Sequence, residues 1–96
     1  MSWFSNLVHK FTHIVKDLAL DAVATSLGFP PGTGIAFGEL LLHAHAGSKK
    51  AKEKIHELAQ DTKTRLLLKN LSGRIKAHPD FAAFKRAAAA QPQAAS

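Results

Sequence analysis

His9, His13 and Asp17 recur every four residues. On a helix that spacing puts two imidazoles and a carboxylate on one face, a set able to take a zinc ion. Lys10 and Lys16 crowd the same stretch and no fourth ligand is evident, so the plainer expectation is a solvated polar face without metal. His43 and His45 are two apart, about 200° around a helix, and do not converge on one ion. "HELAQ", from His56, opens like a zinc-protease helix, but Gln60 stands where the second histidine belongs. "GTGIAFG" has glycines at 32, 34 and 38 with no strand before it and no lysine after it, so neither a dinucleotide loop nor a phosphate loop follows. Cysteine is absent, which excludes disulfides, thiolate ligands and cysteine nucleophiles and is compatible with a reducing compartment. No nucleophile is spaced to meet a base. The expectation is a protein that is not an enzyme and needs no cofactor or metal. Its six histidines remain as charges that appear below about pH 6.5.

The elements that position these groups are helical. Phe4, Leu7, Val8, Phe11, Ile14, Val15, Leu18, Ala22 and Val23 recur at three and four, opposite Asn6, His9, Lys10, His13, Lys16 and Asp17. The pattern predicts one amphipathic helix from Ser2 to Ser26, stopped by Gly28, Pro30 and Pro31, because proline cannot supply the amide of a further turn. Thr33 is expected to cap a second helix running to Ala46, closed by Gly47. Ile35, Phe37, Leu40, Leu41 and Leu42 surround much of it, which predicts burial on more than one side and a place at the hydrophobic centre. Ser48 is expected to cap a long basic helix. In that helix Ile55, Leu58, Ala59, Thr62 and Leu66 form one stripe, and Leu68, Leu71 and Ile75 fall on the opposite side. Either Ser72 and Gly73 soften a bend, or one straight helix is packed by different neighbours along its length, which a multi-chain assembly supplies more easily than a lone small domain. Pro79 suits a first turn, and Phe81, Phe84 and a run of alanines predict a short last helix ending near Ala90. The fold class expected is all-α: a single unit of residues 1–90 with an apolar half (1–47), a basic half (48–90) and a tail (91–96).

Charge divides the chain in the same place. Residues 1–48 carry two lysines against three acids, a net −1, and residues 49–96 carry eleven Lys and Arg against four acids, a net +7. A basic half attracts nucleic acid, anionic lipid or an acidic protein surface. Lys49, Lys50, Lys52, Lys54, Arg65, Lys69, Arg74 and Lys76 are the expected contacts, though Glu53, Glu57 and Asp61 form a stripe of their own among them. No zinc-finger or RNA-binding signature accompanies them and no aromatic falls between Phe37 and Phe81, so any nucleic-acid binding is expected to be non-specific. Residues 34–46 span about 20 Å as a helix, short of a bilayer core of roughly 30 Å, and Glu39 interrupts them. The N-terminus lacks the layout of a cleavable signal.

A chain that begins "MSWFSNLVHKF", carries a GxxxG at Gly34 and Gly38 in an apolar segment, then a lysine-rich helix and an Ala-Gln-Pro tail, resembles small minor virion proteins of bacteriophages, including internal and ejected pilot-type proteins. The resemblance implies a structural role beside portal, tail or capsid. The leading expectation is therefore a non-enzymatic assembly protein, as a homo-oligomer or in a larger complex. Trp3, Phe4, Leu7, Phe11, Ile14, Leu18, Gly34, Gly38 and Leu41 are expected to pack on partners. The alternatives are a membrane-active amphipathic protein of holin or bacteriocin type, and a non-specific DNA-associated protein. The matching locations are the virion, the cytoplasm or a membrane surface.

Overall fold

The computed structural model describes residues 3–90, with side chains from Ser5 onward. These form seven helices and no strand, the all-α fold the periodicity predicts: α1 (Trp3–Lys10), α2 (Thr12–Asp17), α3 (Leu20–Ser26), α4 (Thr33–His45), α5 (Lys49–Leu58), α6 (Thr62–Ala77) and α7 (Phe81–Ala89). α4 is central and packs against α1, α2, α3, α5 and α6. One core joins the halves: Leu7, Val8, Ile14, Val15, Leu20, Leu42, Leu67, Leu71, Ile75 and Phe84 are all buried in it.

Two expected long helices are broken, for different reasons. The first becomes α1, α2 and α3, with a turn at Phe11 and a reversal at Ala19, which is left-handed (φ 50°, ψ 46°). The reversal changes which residues face inward. Before it the buried side chains are Leu7, Val8, Ile14 and Val15; after it they are Leu20 and Ala24, four apart, while Ala22 is exposed and Leu18 and Val23 are half-buried. An unbroken helix would have kept Leu18, Ala22 and Val23 inside.

The long basic helix ends at Leu58 and restarts at Thr62. Asp61 is the cap: its Oδ2 accepts from the Thr64 amide at 3.0 Å and from Thr64 Oγ1 at 2.8 Å. The break splits the first stripe: Ile55 and Leu58 stay on α5, whereas Thr62 and Leu66 begin α6 and are exposed, and the second stripe lies wholly on α6. Ile55 and Leu58 are half-buried on α5, and Leu67, Leu68, Leu71 and Ile75 are buried on α6. Leu66, assigned to the first stripe by periodicity, points outward because the phase of α5 does not carry through the break.

The turn between α3 and α4 forms at the expected place, with Gly28 at φ 90° and Gly32 at φ 92°. Thr33 does not cap α4. Asp21 does so from across the turn, its Oδ1 accepting from the amides of Gly32 (2.8 Å) and Gly34 (3.1 Å). Gly47 (φ 107°) closes α4 and the Ser48 hydroxyl caps α5 at Ala51, both as expected. In α7 Phe84 is fully buried and meets Phe11 edge-on at 5.2 Å.

Candidate docking surface

The GxxxG stripe is a close-approach face, and its partners are this chain's own α2 and α3. A Cβ on Gly34 would overlap the backbone carbonyl of Leu20 and the Cα of Asp21; on Gly38 it would lie 2.8 Å from Leu20 Cδ1 and 3.1 Å from both Val15 methyls. Leu7, Ile14 and Leu41 are buried in the same core, and Phe11 and Leu18 pack against its edge. The side chains assigned to partner packing thus face inward, because the break at Ala19 folds the first segment back over α4. Trp3 and Phe4 begin α1, and their side chains lie outside the described residues, as does the tail, 91–96.

The basic residues take the opposite course. Lys49, Lys50, Lys52 and Lys54 on α5 and Arg65, Lys69, Arg74 and Lys76 on α6 are all exposed. The acidic stripe makes no direct ion pair with them. Among the described residues no Lys or Arg comes within 4.0 Å of an Asp or Glu carboxylate, and the two short contacts to carboxylates from basic side chains are histidine–aspartate hydrogen bonds. Asp61 is occupied as a cap, and its hydrogen bonds from the Thr64 hydroxyl and amide hold its carboxyl below the usual range. Arg74 donates to Asn70 at 2.7 Å. Lys85 Nζ donates to the His45 carbonyl at 2.9 Å, at the end of α4 where carbonyls lack helical partners.

Four of the six histidines fall into two environments, while His9 and His56 are exposed. His13 and Asp17 on α2 face His78 and Asp80, the residues that join α6 to α7. His13 Nε2 is 2.7 Å from Asp80 Oδ2, His78 Nε2 is 3.1 Å from Asp17 Oδ2, and the two rings are 5.8 Å apart. The Asp80 amide donates to His78 Nδ1 at 3.0 Å, so Nδ1 is the acceptor and Nε2–H is left to donate to Asp17. The result is a double clasp between the start and the end of the chain, each histidine on its own aspartate. His9, on the far side of the break at Phe11, is not part of it. Among the described residues no three His, Cys, Asp or Glu are placed to hold a metal ion, which removes the His9, His13 and Asp17 arrangement. Residues 78 and 80 could not be anticipated, since the pairing spans more than sixty positions.

His43 and His45 lie at the end of α4. Burial lowers the pKa of His43, with Glu39 opposing. His45 is lowered by burial and then by the charges of Lys76, Lys85 and Lys52. Its Nε2 is 3.3 Å from Ser72 Oγ, and its ring meets Phe81 edge-on at 5.2 Å. These are the surroundings of a neutral, packed imidazole.

No helix among the described residues is long and apolar enough to cross a membrane. A scan against family models, a search of curated proteins and a search of solved structures return no match to this chain.

Proposed function

We propose that the protein is a non-enzymatic helical docking module that takes its place in a larger assembly by setting its basic half, α5 and α6, against an anionic surface. The observation that carries this reading is the segregation just described: an apolar core closed within the chain, and a cationic surface with no carboxylate partner within 4.0 Å among the described residues. Exposed cations left in water contribute little to folding. Their concentration in one half has its physical use in attraction, where long-range fields steer association and neutralised anions release counterions. A minor virion component beside nucleic acid or an envelope is one setting of this kind, and the resemblance noted from the sequence favours it.

The test uses heparin as a generic polyanion. The full chain is expected to be retained and to elute at a salt concentration well above that for a variant with Lys49, Lys50, Lys52 and Lys54 changed to alanine. The thermal midpoint of that variant should change little, because all four side chains are exposed. Co-elution of the two proteins would sink the reading.

A further inference from the structure

We propose that the outer face of α6 lies in the major groove of a DNA duplex, with one row of cations against the phosphates of each strand. The inference rests on the docking reading above and names its anionic partner. α6 carries five cations, Lys63, Arg65, Lys69, Arg74 and Lys76, and no acid among its 16 residues. All five are exposed. At about 100° per residue they fall into two rows: Arg65, Lys69 and Lys76 within about 40° of one another, Lys63 and Arg74 within about 20°, and the rows roughly 150° apart. Thr62, Leu66, Asn70, Gly73 and Ala77 form the strip between the rows, and all are exposed. The other side of the helix holds the buried Leu67, Leu68, Leu71 and Ile75, so both rows face away from the core.

Each of the chain's seven acids has another placement. Asp21 and Asp61 are caps, of α4 and α6. Asp17 and Asp80 are held by His78 and His13. Glu39 acts on His43, and Glu53 and Glu57 line a groove with Leu40 and His43 that no α6 residue borders. The rows, in contrast, are extended or braced by their surroundings. Lys76 acts on His45 together with Lys85 of α7 and Lys52 of α5, so the first row continues onto both neighbouring helices. In the second, the Lys63 ammonium lies 5.0 Å from the centroid of the Phe29 ring, and Arg74 Nε donates to Asn70 at 2.7 Å.

Two rows that diverge around a helix call for an anion with two walls. The major groove of B-form DNA, about 12 Å wide and lined by phosphates on both sides, admits a helix whose diameter with side chains is about 10–12 Å. At the centre of the strip Gly73 has nothing within 4 Å of its absent Cβ, which leaves the backbone open to close approach. A bilayer or a flat acidic protein face meets one row and leaves the other in water, and Leu66 is the single bulky apolar group available to insert. A-form RNA has a major groove too narrow for a helix, and a second copy of the chain would bring like charges together. Contacts of this kind are made to phosphates, so they carry little sequence preference.

The experiment measures binding of the full chain to a labelled, mixed-sequence DNA duplex by fluorescence anisotropy across a salt series, beside the heparin elution already described. With five phosphates neutralised by α6, the log-log slope of affinity against salt is expected near −4 to −5 or steeper. Gly73→Glu places a carboxylate between the rows, at a site with open space around it, and should weaken duplex binding about tenfold or more. Ala22→Glu makes the same change of net charge at an exposed position on α3, and should leave binding within about twofold. Lys69→Gln with Arg74→Gln removes one cation from each row and should make the slope shallower by about 2; this pair decides the matter if Gly73→Glu loses helicity. Equal losses in the two glutamate variants, an unchanged slope in the glutamine pair, or tighter binding to an RNA duplex or to phosphatidylserine vesicles at the same salt would each overturn the inference. If the protein is retained on heparin but does not bind the DNA duplex, this inference falls and the docking reading stands. If it binds neither, both fall.

Discussion

α4 and α5 are separated by the three residues Ala46, Gly47 and Ser48 and use their side chains in opposite ways. α4 buries Gly34, Gly38, Leu41 and Leu42 and is packed by five other helices. α5 buries Ala51 alone and turns four lysines to water. The difference is one of substitution tolerance. Changes along α4 act through packing, where a methyl group is felt, whereas changes along α5 act through charge, which water and salt attenuate.

The largest effect is expected where the apolar half is locked to the end of the chain. Phe84, from α7, is fully buried against Phe11, and Phe84→Ala should cost about 3–5 kcal/mol, the usual range for a buried aromatic. Urea unfolding measures it. A loss below about 1 kcal/mol would mean that α7 does not hold the two halves together.

Next is a contrast between two helical glycines. Gly34→Ala forces a methyl into the Leu20 backbone, which cannot step aside as a flexible side chain would, and should cost about 3 kcal/mol by overpacking. Gly73 on α6 has nothing within 4 Å of its absent Cβ, so Gly73→Ala should stabilise the protein by about 0.5–1 kcal/mol. Equal effects would erase the distinction between a glycine packed against backbone and one facing open space.

These contrasts show what the sequence could and could not disclose. The GxxxG spacing marked a close helix approach correctly, but spacing says nothing of whether the second helix belongs to the same chain. Asp61 was a readable signal: an aspartate followed three residues later by threonine, whose amide and hydroxyl it accepts, and it explains the change of apolar face that looked like evidence for external neighbours. Ala19 carried no such signal. Alanine is the best helix former, and nothing local marks it for the left-handed conformation after which Leu20 and Ala24 are the fully buried positions. The exposed lysines were legible from composition. The clasp of His13 and His78 with Asp80 and Asp17 was not, because it exists only after both ends have docked.

Ala19 offers a third test. A left-handed alanine costs about 1–2 kcal/mol, which glycine avoids while surrendering part of that gain to chain entropy. Ala19→Gly should therefore raise stability by about 0.5–1 kcal/mol, unusual for a glycine introduced between two helices. Destabilisation by that amount would indicate a continuous helix from Thr12 to Ser26 instead.

The smallest effect is one of pH, at the junction between the two regions. His45 extends from α4 into a setting of Ser72, Phe81, Lys52, Lys76 and Lys85, and burial followed by those lysine charges lowers its pKa from 6.5; burial lowers that of His43 as well, against the pull of Glu39. The unfolded chain consequently takes up protons near pH 6.5 that the native state refuses. Stability is complete above that value and falls as the pH drops through it, until the native histidines protonate as well. Asp61 acts in a separate, more acidic window: its depressed pKa contributes stability above the unfolded value of 3.8 that is lost as pH falls through the folded one. Urea midpoints should therefore decline between pH 7 and 5. In His45→Gln, which retains a hydrogen-bonding group near Ser72 but cannot titrate, the decline should be shallower. A parallel decline in wild type and variant would show that the end of α4 does not sense the lysines of α5, α6 and α7 through His45.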